Sequence, residues 1–212
     1  MKIEVLYGDI CNLFGDWQNA AYLKQTLPDA EFIETKLEDT PYFVSDTPDL
    51  IYIGSMTESN QRRVIEALRP HTARLQALIE AGTVVLATGN GGEVLMKHIS
   101  YVTEKKETDG LGLVDLTVKT DLFDRFNGKV LGRFEDMEIV GFQSQFSTVS
   151  GDNAKAPFLQ VERGVGYNRK GEYEGYHKNN LFVTSLLGPI LPLNPLFTEY
   201  LLRLDRKSTR LN

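Results

Sequence analysis

Cysteine is almost absent from this 212-residue chain: Cys11 stands alone, which excludes an internal disulfide. Histidine is nearly as scarce, and His71, His98 and His177 are too scattered to suggest a zinc site. The expectation is therefore a protein without metal or cofactor. No apolar run approaches the ~18 residues of a membrane-spanning helix. The opening segment, Met1 to Trp17, carries Glu4 and Asp9 where a secretory signal needs an apolar core, so a soluble cytoplasmic protein is expected. Basic residues are outnumbered, 23 Lys and Arg against 29 Asp and Glu, leaving a net charge of −6. They are also dispersed, which excludes the clustered cationic surface that backbone phosphates require.

What is present reads as one globular domain, residues 1–204, followed by a short disordered or non-native tail, residues 205–212, where periodicity is lost. The first half alternates β and α. Lys2 to Tyr7 predicts a strand and Asp16 to Leu27 a helix whose Trp17, Ala20, Ala21, Leu23 and Leu27 share a face. Ala30 to Thr35 and Leu50 to Ile53 predict strands; the latter, LIYI, is apolar throughout, as in a parallel sheet buried on both faces. Asn60 to Ala81 has helical periodicity broken or kinked at Pro70 and closed by Gly82. Thr83 to Ala87 (TVVLA) is the strongest strand signal, and a helix is expected from Glu93 to His98. The second half turns to short β-prone pieces: Gly112 to Thr120, Gly128 to Phe134, Ile139 to Phe142, Leu159 to Glu162 and Tyr173 to Tyr176. A strand at Leu181 to Ser185 and an amphipathic helix at Pro195 to Leu204 close the domain.

In parallel α/β sheets a ligand sits beyond the carboxyl ends of the strands. Three glycine-bearing turns end strands here: Gly8 to Gly15, Gly54-Ser55-Met56, and Thr88-Gly89-Asn90-Gly91-Gly92. Each alone is an ordinary βα turn with glycine supplying positive φ; together they line one cleft. The turn after TVVLA is where many α/β enzymes hold a nucleophile, yet it contains no thiol. Thr88 offers a hydroxyl, but no histidine lies in a comparable turn to activate it, and His98 is expected at the far end of the next helix. Cys11 lies in the first βα loop with nothing beside it that would lower its pKa.

Several segments carry a resemblance spanning Asn12 to Leu204. They are NLFGDWQNAAYL (Asn12 to Leu23), DLIYIGSMTESNQ (Asp49 to Gln61), LIEAGTVVLATGNGGEVL (Leu78 to Leu95), GLGLVDL (Gly110 to Leu116), GFQSQFSTV (Gly141 to Val149) and LLGPILPLNP (Leu186 to Pro195). The chain resembles the type 1 glutamine amidotransferases, in the group that holds the glutaminase subunit of lipid II isoglutaminyl synthase and the amidotransferase domain of cobyric acid synthase. The resemblance implies a three-layer, flavodoxin-like α/β fold with a mostly parallel central sheet, helices on both faces and a β-rich second half.

It also implies a cysteine after the fourth strand that is acylated by glutamine, and a later histidine that deprotonates it. Read forward from Val84-Val85-Leu86-Ala87, the cysteine position falls on Gly89; counted back from Gly91-Gly92 it falls on Asn90. Gly89 is preferred, because it places Glu93 where the family has a glutamine. Gly188-Pro189 puts the histidine position at Leu187, and the family's Glu-Asn-His becomes Gln143-Ser144-Gln145. With nucleophile and base both replaced, glutaminase chemistry is not expected. Binding positions are expected at Gly54, Ser55, Met56, Thr88 and Gly91 in the strand-end turns, and at Glu93, Gln143 and Gln145, which the resemblance adds. The expected role is a pseudoenzyme of cell-wall peptidoglycan synthesis, partnering a Mur-ligase-like ATP-dependent subunit and able to hold a glutamine-like small molecule. The alternative is altered chemistry on a small amide or amino acid, using Asp16, Glu58 and Glu93; as carboxylates on surface helices these are expected to be solvated.

Overall fold

The computed structural model describes residues 1–169 and 171–208. Its central layer is a six-stranded sheet. Strands β1 (Lys2–Leu6), β2 (Glu31–Thr35), β3 (Leu50–Ile53) and β4 (Val84–Thr88) are parallel to one another, as is the late strand β14 (Leu181–Thr184), which pairs with β4. A short antiparallel strand, β13 (Tyr176–Lys178), closes that edge, giving the order β13-β14-β4-β3-β1-β2.

The apolar runs read from the sequence are explained by burial on both faces. In β4, Val85 and Ala87 pack with Val64, Ile65 and Leu68 of helix α2 (Glu58–Leu68) and with Leu75, Leu78 and Ile79 of helix α3 (Thr72–Ala81). Val84 and Leu86 point the other way, into a second core with Leu23 of helix α1 (Trp17–Thr26) and with Phe197 and Leu201 of the closing helix. This period-two division, continued in Ile51/Ile53 against Leu50/Tyr52, produces the three layers. The fold expected from the resemblance is the one observed.

Pro70, which has no N–H to donate, splits the expected long helix: α2 ends at Leu68, a 3-10 turn covers Arg69–His71, and α3 follows. Gly82 caps α3 with φ 96°, a left-handed conformation open to glycine.

The expected helix Glu93 to His98 is not formed. Only Glu93–Leu95 makes a 3-10 turn; Met96–Tyr101 is strand β5. β5 lies between antiparallel β6 (Lys106–Asp109) and parallel β7 (Val114–Thr120), with β10 (Ser147–Ser150) beyond β7. Long-range pairing overrides the local pattern here, and the polar compositions of β6 (KETD) and β10 (STVS) gave no strand signal to warn of it. Another four-stranded sheet contains β8 (Phe126–Phe134), β9 (Met137–Gln145), β11 (Leu159–Arg163) and β12 (Tyr173–Glu174). The expected Tyr173 to Tyr176 strand is divided at Gly175, φ 73°, so that β12 and β13 join different sheets.

After β14 the chain forms a short helix α4 (Ile190–Leu193) and then α5 (Pro195–Ser208), which runs past the expected end at Leu204; residues 209–212 of the expected tail lie outside the described residues. Trp17, expected on the packed face of α1, is exposed instead, while Leu23 is buried. No helix among the described residues is long and apolar enough to cross a membrane.

Candidate functional site

The turns that leave β3, β4 and β14 converge at the carboxyl edge of the sheet, as parallel topology requires. They enclose a cavity of about 120 Å³. Ser55 and Met56 after β3, Gly89, Asn90 and Glu93 after β4, and Leu187 after β14 all line it. Gln145, at the end of β9, does too.

The turn after β4 adopts φ 56° at Gly89, a left-handed conformation that glycine takes freely and that side chains rarely take. A Cβ built there would come within 2.7 Å of Ser55 Cβ and 2.9 Å of Leu187 Cδ2. The two positions that the resemblance assigns to nucleophile and base thus face each other across the cavity. Asn90 points elsewhere: its side-chain amide donates to Met56 O and accepts from Met56 N, both at 2.8 Å, tying the two turns together.

Other sequence candidates stand behind the wall instead of in it. Gly54 and Gly91 allow backbones to touch, since a Cβ on Gly54 would lie 2.4 Å from Cys11 O and one on Gly91 2.5 Å from Gly54 O. Thr88 is wholly buried and donates to Asp16 Oδ2 at 2.7 Å. Gln143 is buried too, its amide donating to Ser185 Oγ at 3.0 Å.

The expectation of solvated carboxylates fails for two of the three. Asp16 is 0% exposed and accepts from Ser55 N at 2.8 Å as well as from Thr88, so it braces the β1, β3 and β4 turns against one another. Glu93 is 6% exposed; its Oε2 accepts from Gln61 Nε2 at 2.8 Å and its Oε1 from the Ser147 hydroxyl. Burial raises the pKa of both above the ordinary carboxylate value, opposed by those hydrogen bonds. Glu58, half-buried on the first turn of α2, does line the cavity.

Sequence reasoning did not find the walls that come from the β-rich half. Thr120 ends β7, Ser147 begins β10, and Ser185 follows β14, where its hydroxyl donates to the fully buried Glu174 at 2.7 Å. Each is a lone small polar residue that only strand pairing brings to the site. Phe14 adds an exposed ring at the cavity, from the first βα loop.

Cys11 does not reach the cavity. It is buried, its Sγ lies 3.7 Å from Met56 Sδ, and desolvation pushes its thiol pKa up, so it stays protonated and unreactive. His98 sits on β5 with Nδ1 2.8 Å from Asp109 and Nε2 2.7 Å from Glu107, a surface ion cluster outside the cavity. Asp109 first, then Glu107, raise its pKa above the ordinary histidine value. An NMR titration is expected to place His98 above a free histidine and to bring it back down in Asp109→Asn. The stability it adds is present below the ordinary value and lost as pH rises through the raised one. Among the described residues no group of three or more His, Cys, Asp or Glu is arranged to hold a metal ion.

A parallel α/β sheet with a glycine turn, a facing late loop and a cavity between them defines an α/β protein with a ligand-sized site at the carboxyl edge of its sheet. The chain belongs to the CobB/CobQ-like glutamine amidotransferase domain family, whose model matches residues 2–194. It is similar to the lipid II isoglutaminyl synthase (glutamine-hydrolyzing) subunit GatD of Staphylococcus aureus, 29% identical over 206 residues, covering 95% of this chain and 83% of that relative. Among solved structures, one glutamine amidotransferase aligns with TM-score 0.56 at 16% identity over 96% of this chain and 98% of its own. Another, from Thermotoga maritima, aligns with TM-score 0.55 at 8% identity over 88% and 75%. At these identities the two structures speak to the fold alone.

Proposed function

We propose that this chain is an amidotransferase-like subunit that does not hydrolyse glutamine and serves as the binding or scaffolding partner of a Mur-ligase-like ATP-dependent enzyme in cytoplasmic cell-wall peptidoglycan synthesis. The observation that carries the reading is Gly89: a left-handed turn at the position the family resemblance gives to the nucleophile, with no side chain to attack with, and Leu187 opposite it in place of a proton acceptor. The framework around that turn is kept, since Asp16, Asn90 and the Gly54–Gly91 contact hold the strand ends together. A framework retained without its reacting groups suits binding. That the relative from Staphylococcus aureus is itself a subunit supports a partnership.

Co-expression with a Mur-ligase-like subunit from the same source, followed by size-exclusion chromatography, tests this. A stoichiometric complex is expected. A chain that elutes as a monomer beside the ligase overturns the partnership. The second reading, altered chemistry in the same cavity, draws support from the buried Glu93 carboxyl in its wall.

A further inference from the structure

The cavity is unbalanced in both charge and hydrogen bonding. Glu58 and Glu93 line it, and among the described residues no lysine, arginine or histidine does. Among the described residues no cation pairs with Glu93, and the charge it feels is the like charge of Glu58. Thr120, 4% exposed, has a hydroxyl oxygen without a hydrogen-bond partner, and Gln145 Oε1 is likewise unmet. Oxygens left unpartnered in a wall, beside a buried carboxyl without a counter-charge, favour a ligand that brings N–H donors and a positive charge.

One cation stands nearby. Arg125 is exposed, donates to the Ser144 hydroxyl and lies 5.1 Å from the centre of the Phe146 ring. Ser144 and Phe146 line the cavity while Arg125 itself does not, so the guanidinium marks a rim, with the acidic wall inside.

We propose that the cavity binds a small molecule through a terminal ammonium group at the end of an alkyl chain, seated against Glu93 and donating to Gln145 and Thr120, with any α-amino-acid carboxylate at the other end turned outward to Arg125. This rests on the reading of the cavity as a binding site without glutaminase chemistry, and it gives that site a ligand class. A terminal ammonium replaces the terminal carboxamide of glutamine because it carries the positive charge that a buried carboxyl without a counter-charge favours, which a neutral carboxamide lacks.

Calorimetric titration of the whole chain with L-ornithine, 1,4-diaminobutane and L-glutamine tests the assignment. Both amines are expected to bind roughly tenfold or more tightly than glutamine. Glu93→Gln, which keeps the shape of the side chain, is expected to weaken amine binding at least about tenfold and to strengthen glutamine binding. Thr120→Val replaces the unpartnered hydroxyl with a methyl, so the fold is kept; amine binding is expected to fall about threefold. Tighter binding of ornithine than of diaminobutane supports the outward carboxylate at Arg125. Absence of amine binding, a preference for glutamine, or unchanged amine affinity in both variants overturns the proposal. Ammonia release from glutamine overturns the inert reading of the cavity instead, so the two failures are told apart.

Discussion

Purified protein incubated with glutamine is expected to release no ammonia above the uncatalysed background. Loss of a covalent nucleophile or its base costs on the order of a million-fold in turnover in enzymes built this way, and losing the second adds little because the two act as a unit. Neither Cys11 nor Thr88 takes over the nucleophile's role. Cys11 is buried, held as a thiol and outside the cavity, so Cys11→Ala is expected to change nothing; turnover that vanished in that variant would sink the proposal. Thr88 is buried, and its hydroxyl is committed to Asp16.

Restoration is the more demanding half of this prediction. From the sequence, Gly89→Cys with Leu187→His returns both reacting groups. The structure adds an obstacle: a Cβ at position 89 meets Ser55 Cβ at 2.7 Å, and Ser55 cannot retreat because its backbone N–H is held by Asp16. The double variant is therefore expected to remain inactive. Adding Ser55→Gly removes the obstructing atom, and ammonia release well above background is expected only then. Activity in the double variant would show that the turn yields more readily than its packing implies.

Glu174→Gln is expected to remove a large part of the pH dependence of folding between pH 4 and 8. Glu174 is 0% exposed and accepts from Thr184 Oγ1, Ser185 N and Ser185 Oγ, all at 2.7 Å. Burial outweighs these bonds and pushes its pKa from 4.5 up to about 7. A carboxyl raised in this way favours the protonated native state, so between those two values the native chain binds more protons than the unfolded one and stability falls as pH rises. At about 1.4 kcal/mol per pKa unit, the loss amounts to roughly 3 kcal/mol by pH 8. The glutamine variant mimics the neutral form and escapes it. Urea denaturation is expected to find variant and wild type nearly equal at pH 4 and the variant more stable by roughly that amount at pH 8. An equal difference at both pH values would show that Glu174 does not titrate in this range.

The fold was legible wherever a segment's own composition decided its state. LIYI and VVLA are apolar on every residue because both faces of the central sheet are covered, and the glycines after them mark turns. Legibility failed where pairing decided. Nothing in MKHISY distinguishes a strand from a continued helix until β6 and β7 flank it, and KETD and STVS are strands only by virtue of their neighbours. At the candidate site, Ser55, Met56, Gly89, Asn90, Glu93, Gln145 and Leu187, all named from the sequence, line the cavity. Thr120, Ser147 and Ser185 were not, since a single hydroxyl carries no pattern.

What the sequence by itself determined was chemistry that belongs to residue type: no thiol or imidazole can act at positions 89, 90 and 187 whatever the fold around them. It also determined the alternation of strand, turn and helix in the first half, which is local. Only the tertiary structure decided that Asp16, Glu93 and Glu174 are buried, that Ser55 closes the space beside Gly89, and that the oxygens of Thr120 and Gln145 are left unpartnered in the cavity wall. Burial and distance between residues far apart in the chain arise from how strands pair and layers pack, and a residue's identity alone does not encode its depth.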